Sequence, residues 1–174
     1  YLATALSELG CTVDDLSAHL SIDCGDSPTS IAEASFYQEQ WRQVLGIEVA
    51  VNSMITKQGS QNRKTGNYVM SITGWGPDYN DPNTFLDMWV TDGGNNQTGF
   101  SNERYDELID LAAKETDLEK RESYFIECEQ IIADQLPIGP SFWRAPSYAC
   151  SDKIKGGMHR STFQDINAVY VKLS

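Results

Sequence analysis

The chain has 174 residues, 40% of them hydrophobic, which suits one well-packed core and is short of two comfortable ones. Asp and Glu number 25 against 13 Lys and Arg, a formal charge of -12, and the scattered basic residues exclude nucleic acid and anionic membrane as fitting partners. No apolar run approaches the roughly 20 residues of a membrane-spanning helix.

The opening YLATALSELG carries neither an initiator methionine nor the basic and apolar regions of a leader. Residues 2–9 read as the end of a helix stopped by Gly10, so we expect the chain to begin inside a larger structure. In residues 17–24 the apolar Ala18, Leu20, Ile22 and Cys24 alternate with polar neighbours. That period predicts a half-buried strand with His19 on its polar face, preceded by solvated Asp14 and Asp15. DSP at 26–28 ends it, and residues 29–45 read as a helix with Ile31, Ala34, Trp41, Val44 and Leu45 on its apolar stripe and Gly46 as its stop. A β-branched run at 47–54, a polar segment with Gly59 and Gly66 fit only for a short or frayed helix, and a third strand at 67–75 complete the first half. This succession predicts an α/β fold, a mainly parallel sheet with right-handed crossovers flanked by helices. In such sheets ligands lie beyond the carboxyl ends of the strands, where the segment GWGPDYNDP (74–82) falls.

Asp81 then caps a helix over 81–90, with Pro82 at the first helical position, where its missing N–H costs nothing. A loop follows at 91–99. Asn102 caps a helix presenting Tyr105, Leu108, Ile109 and Ala112 on one face, and a second helix from about Leu118 carries Tyr124, Cys128, Ile131 and Ile132. The charged run from Glu115 to Glu122 reads as solvated surface, and Pro137 and Pro140 end the helical stretch. Residues 138–150 permit only an interrupted strand, whereas 166–173 alternate as a strand should.

Few chemical constellations survive inspection. Cys11, Cys24, Cys128 and Cys150 form no CxxC pair and match no zinc module; buried thiols and one or two disulfides both remain open. Gly74 and Gly76 do not continue into a dinucleotide fingerprint, because Tyr79 replaces the last glycine and Pro77 and Asp78 spoil the anion cradle. Asp78 and Asn80 begin like a calcium loop that Pro82 and Asn83 then break. No metal site and no cofactor are implied. Asp78 and Asp81 could act as the carboxylate pair of a hydrolase, but three residues apart they have no route to opposite faces of a sugar ring. The two histidines have no nucleophile in a recognisable elbow, so no catalytic residue is assigned. Asn96-Gln97-Thr98 is a formal glycosylation sequon in a loop where such matches arise easily. Trp75 is then either core or ligand surface, and Asp78 either a turn residue bonding nearby backbone or a site carboxylate; spacing leaves both open.

Read together, GWGPDYNDPNTFLD (74–87), GGNNQTGFSNERYDELIDLA (93–112), ETDLEKRESYFIECEQII (115–132) and LPIGPSFW (136–143) resemble the extracytoplasmic solute-binding proteins of oligopeptide and dipeptide ABC transporters. The resemblance implies a lobe of a two-lobed, hinged, non-enzymatic protein. Residues 1–145 would form the carboxyl-terminal ligand-binding lobe, and residues 146–174 the segment that returns toward the first lobe. The family motif GW-x-x-DY falls on Gly74, Trp75, Asp78 and Tyr79. It implies that Asp78 pairs with a peptide α-amino group while backbone from Gly74 to Gly76 hydrogen-bonds the peptide as an added strand. Arg63 lies where some peptide binders place a basic residue against the peptide carboxylate, Ile72 stands where some carry a second arginine, and Phe142 and Trp143 correspond to a cleft-lining aromatic stretch. The implied partners are an oligopeptide and a membrane permease, and the implied state is a monomer outside the cytoplasm, lipid-anchored or periplasmic. Relatives that take nickel chelates, haem or oligosaccharides keep the ligand class open within the family.

Overall fold

The structure is a computed structural model that describes residues 1–144, 149–156, 159–160, 166–167 and 172–173. The chain folds as two compact units, Tyr1–Gly74 and Trp75–Ser174. Each has its own apolar cluster, so the expectation of a single core is corrected: Ile22, Cys24, Ala34, Ile47 and Val49 centre the first, and Leu86, Tyr105, Leu108, Ile109, Ala112, Phe125, Cys128 and Ile132 the second.

In the first unit α1 (Leu2–Leu9) closes on Gly10 at φ 65, a left-handed conformation that glycine adopts without a Cβ clash. A short α2 (Val13–Ser17) follows where solvated surface and the start of a strand were expected. Its cause is a capping box: Thr12 Oγ1 accepts the Asp15 N–H at 3.1 Å and the Asp15 carboxylate accepts the Thr12 N–H at 2.9 Å. The strand is therefore shortened to β1 (Ser21–Gly25), and His19 sits in a turn rather than on a strand face. Next, α3 (Pro28–Leu45) starts on the Ser27 cap with Pro28 in its first turn and stops at Gly46. Ala34 is fully buried and Trp41 half-buried, but Ile31 and Leu45 are exposed and Val44 is 75% exposed, which corrects their places on the apolar stripe. At 100° per residue Val44 lies about 80° round the helix from Ala34.

Strand β2 (Ala50–Met54) begins three residues later than expected, because the Glu48 N–H is taken by Ser17 Oγ at 3.0 Å and the Val49 carbonyl by Gln38 Nε2 at 2.6 Å. The polar segment makes a complete helix, α4 (Thr56–Thr65), capped by Gly66 at φ 69. The Asn67 N–H bonds the Asn62 carbonyl at 2.9 Å to close that cap. It is therefore lost to the next strand, which shrinks from the expected 67–75 to β3 (Met70–Ser71). The three strands are parallel in the order β2-β1-β3, as the α/β reading requires. Ile22 and Cys24 join the apolar cluster with α3, and by strand alternation Asp23 faces the other side, toward α4. Truncating Ile22 to alanine would cost about 2–5 kcal/mol at a site this closed.

The second unit opens on an irregular stretch and then α5 (Asn83–Leu86), which tightens into a 3-10 turn over Asp87–Trp89. The expected helix over 81–90 is thus shorter, and Pro82, with helical angles, takes the cap position in place of Asp81, whose carboxylate still accepts the Asn83 N–H at 2.9 Å. Helices α6 (Glu103–Lys114) and α7 (Leu118–Gln135), capped by Asn102 and Asp117, pack on each other through the second cluster. Tyr105, fully buried, donates its hydroxyl to the Leu86 carbonyl at 2.6 Å, and burial pushes its phenol well above the ordinary range. The bond removes the penalty of an unpaired hydroxyl in the core. Beyond α7 the described part of 138–150 holds no regular strand. Two antiparallel pairs follow, β4 (Ile154–Lys155) with β7 (Lys172–Leu173) and β5 (His159–Arg160) with β6 (Ile166–Asn167). The expected strand 166–173 is thus represented by its two ends, and 168–171 lie outside the described residues. All four cysteines are free thiols; Cys24 and Cys128 are buried, and burial raises the Cys128 thiol to about 11.

Candidate functional site

The segment from Ile72 to Pro77 has no regular structure, although the Ile72 N–H still bonds the Asp23 carbonyl at 2.9 Å. Strand β3 is an edge of its sheet. Among the described residues the backbone N–H and C=O groups of Gly74, Trp75 and Gly76 make no hydrogen bond, and all three residues are exposed. Trp75 keeps 40% of its surface, which rules out the reading of it as a core residue within these units.

Asp78 is exposed, and among the described residues nothing bonds its carboxylate. The turn-residue alternative required that carboxylate to bond nearby backbone. Asp81 makes that bond instead, to Asn83. What fixes Asp78 is its main chain: its N–H is donated at 3.0 Å to Oγ1 of Thr84, which is 2% exposed on α5. Tyr79, 41% exposed, donates its hydroxyl to Asp87 at 3.2 Å and accepts from the Asn83 amide at 3.1 Å. Partial burial, with the Asp87 and Asp81 carboxylates adding to it, holds the Tyr79 phenol above its ordinary value against the Asn83 bond. Sequence reasoning missed Thr84, although a threonine on a helix that follows a Pro-rich turn is a plain candidate for such a bond.

The loop has a second anchor. Arg121 on α7 grips Asp81 with both terminal nitrogens, at 2.7 and 2.9 Å, and its Nε donates to the Ala112 carbonyl at 3.0 Å. Its guanidinium also lies 4.7 Å over the Phe125 ring. The two side chains keep only 23% and 27% of their surface, and the Arg121 bond holds the Asp81 carboxyl below its ordinary range. An aspartate so held cannot serve as a protonated acid or as an unencumbered nucleophile, which removes the carboxylate pair that a hydrolase would need. The charged run read as solvated surface is corrected as well. It contributes Arg121 to this clamp, and Glu115 is drawn down to about 2 by its bond from Lys120.

In the first unit Arg63 projects from the last turn of α4, half-buried, with Nη1 donating to Ser71 Oγ on β3 at 3.4 Å. In the second unit Phe142 is 55% exposed with the Arg144 guanidinium 5.2 Å over its ring, and Trp143 packs edge-on against Phe85 at 5.4 Å. Trp75, Gly76, Asp78 and Tyr79 are thus gathered on one braced loop, while no hydrogen bond or ring contact among the described residues joins Phe142 to them. The sequon asparagine has a structural occupation. The Asn96 amide donates to the carbonyls of Phe100 at 2.7 Å and Val90 at 3.0 Å and organises the 91–99 loop.

The chain itself falls in a known class. Residues 5–97, more than half of the chain, match the model of the bacterial extracellular solute-binding proteins, family 5 Middle, and the chain belongs to that family, which is non-enzymatic. It is 32% identical to the oligopeptide-binding protein OppA of Bacillus subtilis over 90% of its length, and 31% identical to the dipeptide-binding protein of Lactococcus lactis over 98%. It superposes on the structure of Listeria monocytogenes OppA bound to peptide with a TM-score of 0.80 and 29% identity, over 99% of this chain and 32% of that one. The chain spans 29% and 32% of the two curated relatives.

Proposed function

We propose that this chain is the carboxyl-terminal lobe of a binding protein that captures oligopeptides or dipeptides outside the cytoplasm and delivers them to the permease of an ABC importer. The observation that carries the reading is the Asp78 carboxylate, exposed and without a bond among the described residues, on a loop fixed by Thr84 and by the Asp81–Arg121 clamp. A carboxylate held there without a partner suits an ammonium, which it would take by a charge-assisted bond. Backbone at Gly74 to Gly76, without a hydrogen bond among the described residues and beyond an edge strand, suits a peptide added as a further strand, giving affinity independent of side chains. Trp75 and Tyr79 flank that carboxylate in sequence, and Phe142 adds an exposed ring to the same unit. Arg63 supplies the complementary cation for the peptide carboxylate.

Residues 1–145 form the binding lobe in this reading, and 146–174 return toward the other lobe, with hinge closure burying the ligand. The protein works as a monomer, either lipid-anchored at the cell surface or free in a periplasm. The peptide bound in Listeria monocytogenes OppA and the oligopeptide-binding role of Bacillus subtilis OppA are consistent with this ligand class.

Calorimetry on the full-length protein tests it. Free peptides should bind, N-acetylated ones about tenfold or more weakly, and Asp78→Ala should erase the difference. Equal binding of free and acetylated peptides by the parent protein would refute the role of Asp78. Binding of a nickel chelate, haem or an oligosaccharide, with no peptide bound, would refute the ligand class.

A further inference from the structure

We propose that Asp23 is a positioning residue for Arg63, fixing the last turn of α4 against the sheet. The proposal rests on the reading of Arg63 as the cation for a peptide carboxylate. Asp23 is 4% exposed at the centre of the middle strand, one of two buried polar residues among those described. Its two oxygens accept from two directions, Oδ1 from Asn52 Nδ2 and Oδ2 from Asn62 Nδ2, each at 3.2 Å. Asn52 and Ser71 are its register partners on β2 and β3, so one polar row crosses all three strands. Two consecutive residues of α4's last turn land on that row: Asn62 on Asp23 and Arg63 on Ser71.

Among the described residues a further side-chain tie from this helix to the sheet is weak, Asn62 Nδ2 reaching Met54 Sδ at 3.4 Å. The helix's one buried residue is Gly59, which has no side chain to pack, and an open hollow of about 430 Å³ lies beside the row, lined among others by Asp23, Asn52, Asn62 and Tyr68. A helix with no apolar face toward its sheet is held by its polar ties, so removing the central acceptor releases the turn that aims Arg63. A carboxylate also serves both amides at once, which no neutral side chain of its size does, since an asparagine there would oppose one amide N–H₂ to another.

The test compares the full-length protein with Asp23→Ala, with the milder Asn62→Ala, and with Arg63→Ala, reading affinity for a free peptide against the same peptide with an amidated carboxyl terminus. All three variants should lower the ratio of the two affinities about tenfold, leaving the amidated peptide's affinity near that of the parent. Hydrogen exchange should rise about tenfold at the α4 amides in the Asp23 and Asn62 variants but not in Arg63→Ala. A purely structural role for Asp23 would lower both affinities together and leave the ratio intact. A parent-like ratio in Asn62→Ala beside a collapsed one in Arg63→Ala overturns the positioning role alone. A parent-like ratio in Arg63→Ala overturns the carboxylate reading on which it rests.

Discussion

The sharpest quantitative test of the loop's architecture is Arg121→Met. Methionine keeps an unbranched stem to lie against Phe125, and removes the two bonds to Asp81 and the one to the Ala112 carbonyl. An exposed pair would contribute about 0–1 kcal/mol, and breaking a buried one costs about 3–5 kcal/mol. With roughly a quarter of each side chain exposed, this pair falls between them. We expect about 2 kcal/mol, equivalent to a roughly 30-fold rise in local opening. Hydrogen exchange at the Thr84 and Phe85 amides, whose bonds to the Asp81 and Pro82 carbonyls start α5, would read it. The pH dependence fixes the cause. Arg121 depresses the Asp81 carboxyl in the folded state, so the clamp's stabilisation is full above the ordinary aspartate value of about 4 and is lost as pH falls through the depressed one. The difference between parent and variant should therefore be largest near neutral pH and shrink in acid. A loss under about threefold in protection, or one unchanged between neutral and acid conditions, would refute the clamp.

Two other outcomes follow from local geometry. Gly59→Ala should stabilise α4 by about 1 kcal/mol, because a Cβ there meets Arg63 Nη1 at 3.5 Å and Met54 at 3.7 Å, ordinary contact, while helix propensity improves; a lowered melting temperature would contradict it. Asn96→Ala should cost about 2 kcal/mol by releasing the Val90 and Phe100 carbonyls, seen as faster exchange across residues 96–100; unchanged protection would show the loop to be organised otherwise.

How far the sequence disclosed this molecule depends on where each signal lies. The parallel sheet and the helices α1, α3, α6 and α7 announce themselves through apolar periodicity and caps a few residues apart. The helix start near Asp81 was legible because Pro82 follows it, although Pro82 itself takes the cap position. Strand β1 was misplaced because alternation at 17–20 competes with the Thr12–Asp15 capping box, a local signal present in the sequence and outweighed there by the period. Helix α4 was underrated for a different reason: its inner face meets the polar row of Asp23 and Ser71, so it carries no apolar stripe to detect. The Asp81–Arg121 clamp joins positions 40 apart in sequence, and no local pattern encodes it. For Asp78 the sequence left two readings, because spacing does not say which of two nearby aspartates bonds the turn; in the fold it is Asp81 that accepts the Asn83 N–H.

The bonds that brace this loop also set where the gene can vary in length. Thr84 bonds Asp78 six residues back through Oγ1 and the Asp81 carbonyl three residues back through its N–H, and one inserted codon between Asp78 and Thr84 would break one or both registers. The Asn96 bonds to the Val90 and Phe100 carbonyls fix the spacing of 90–100 in the same way, so natural length variation should be sparse in both loops, a pattern that library screening for insertions could read directly.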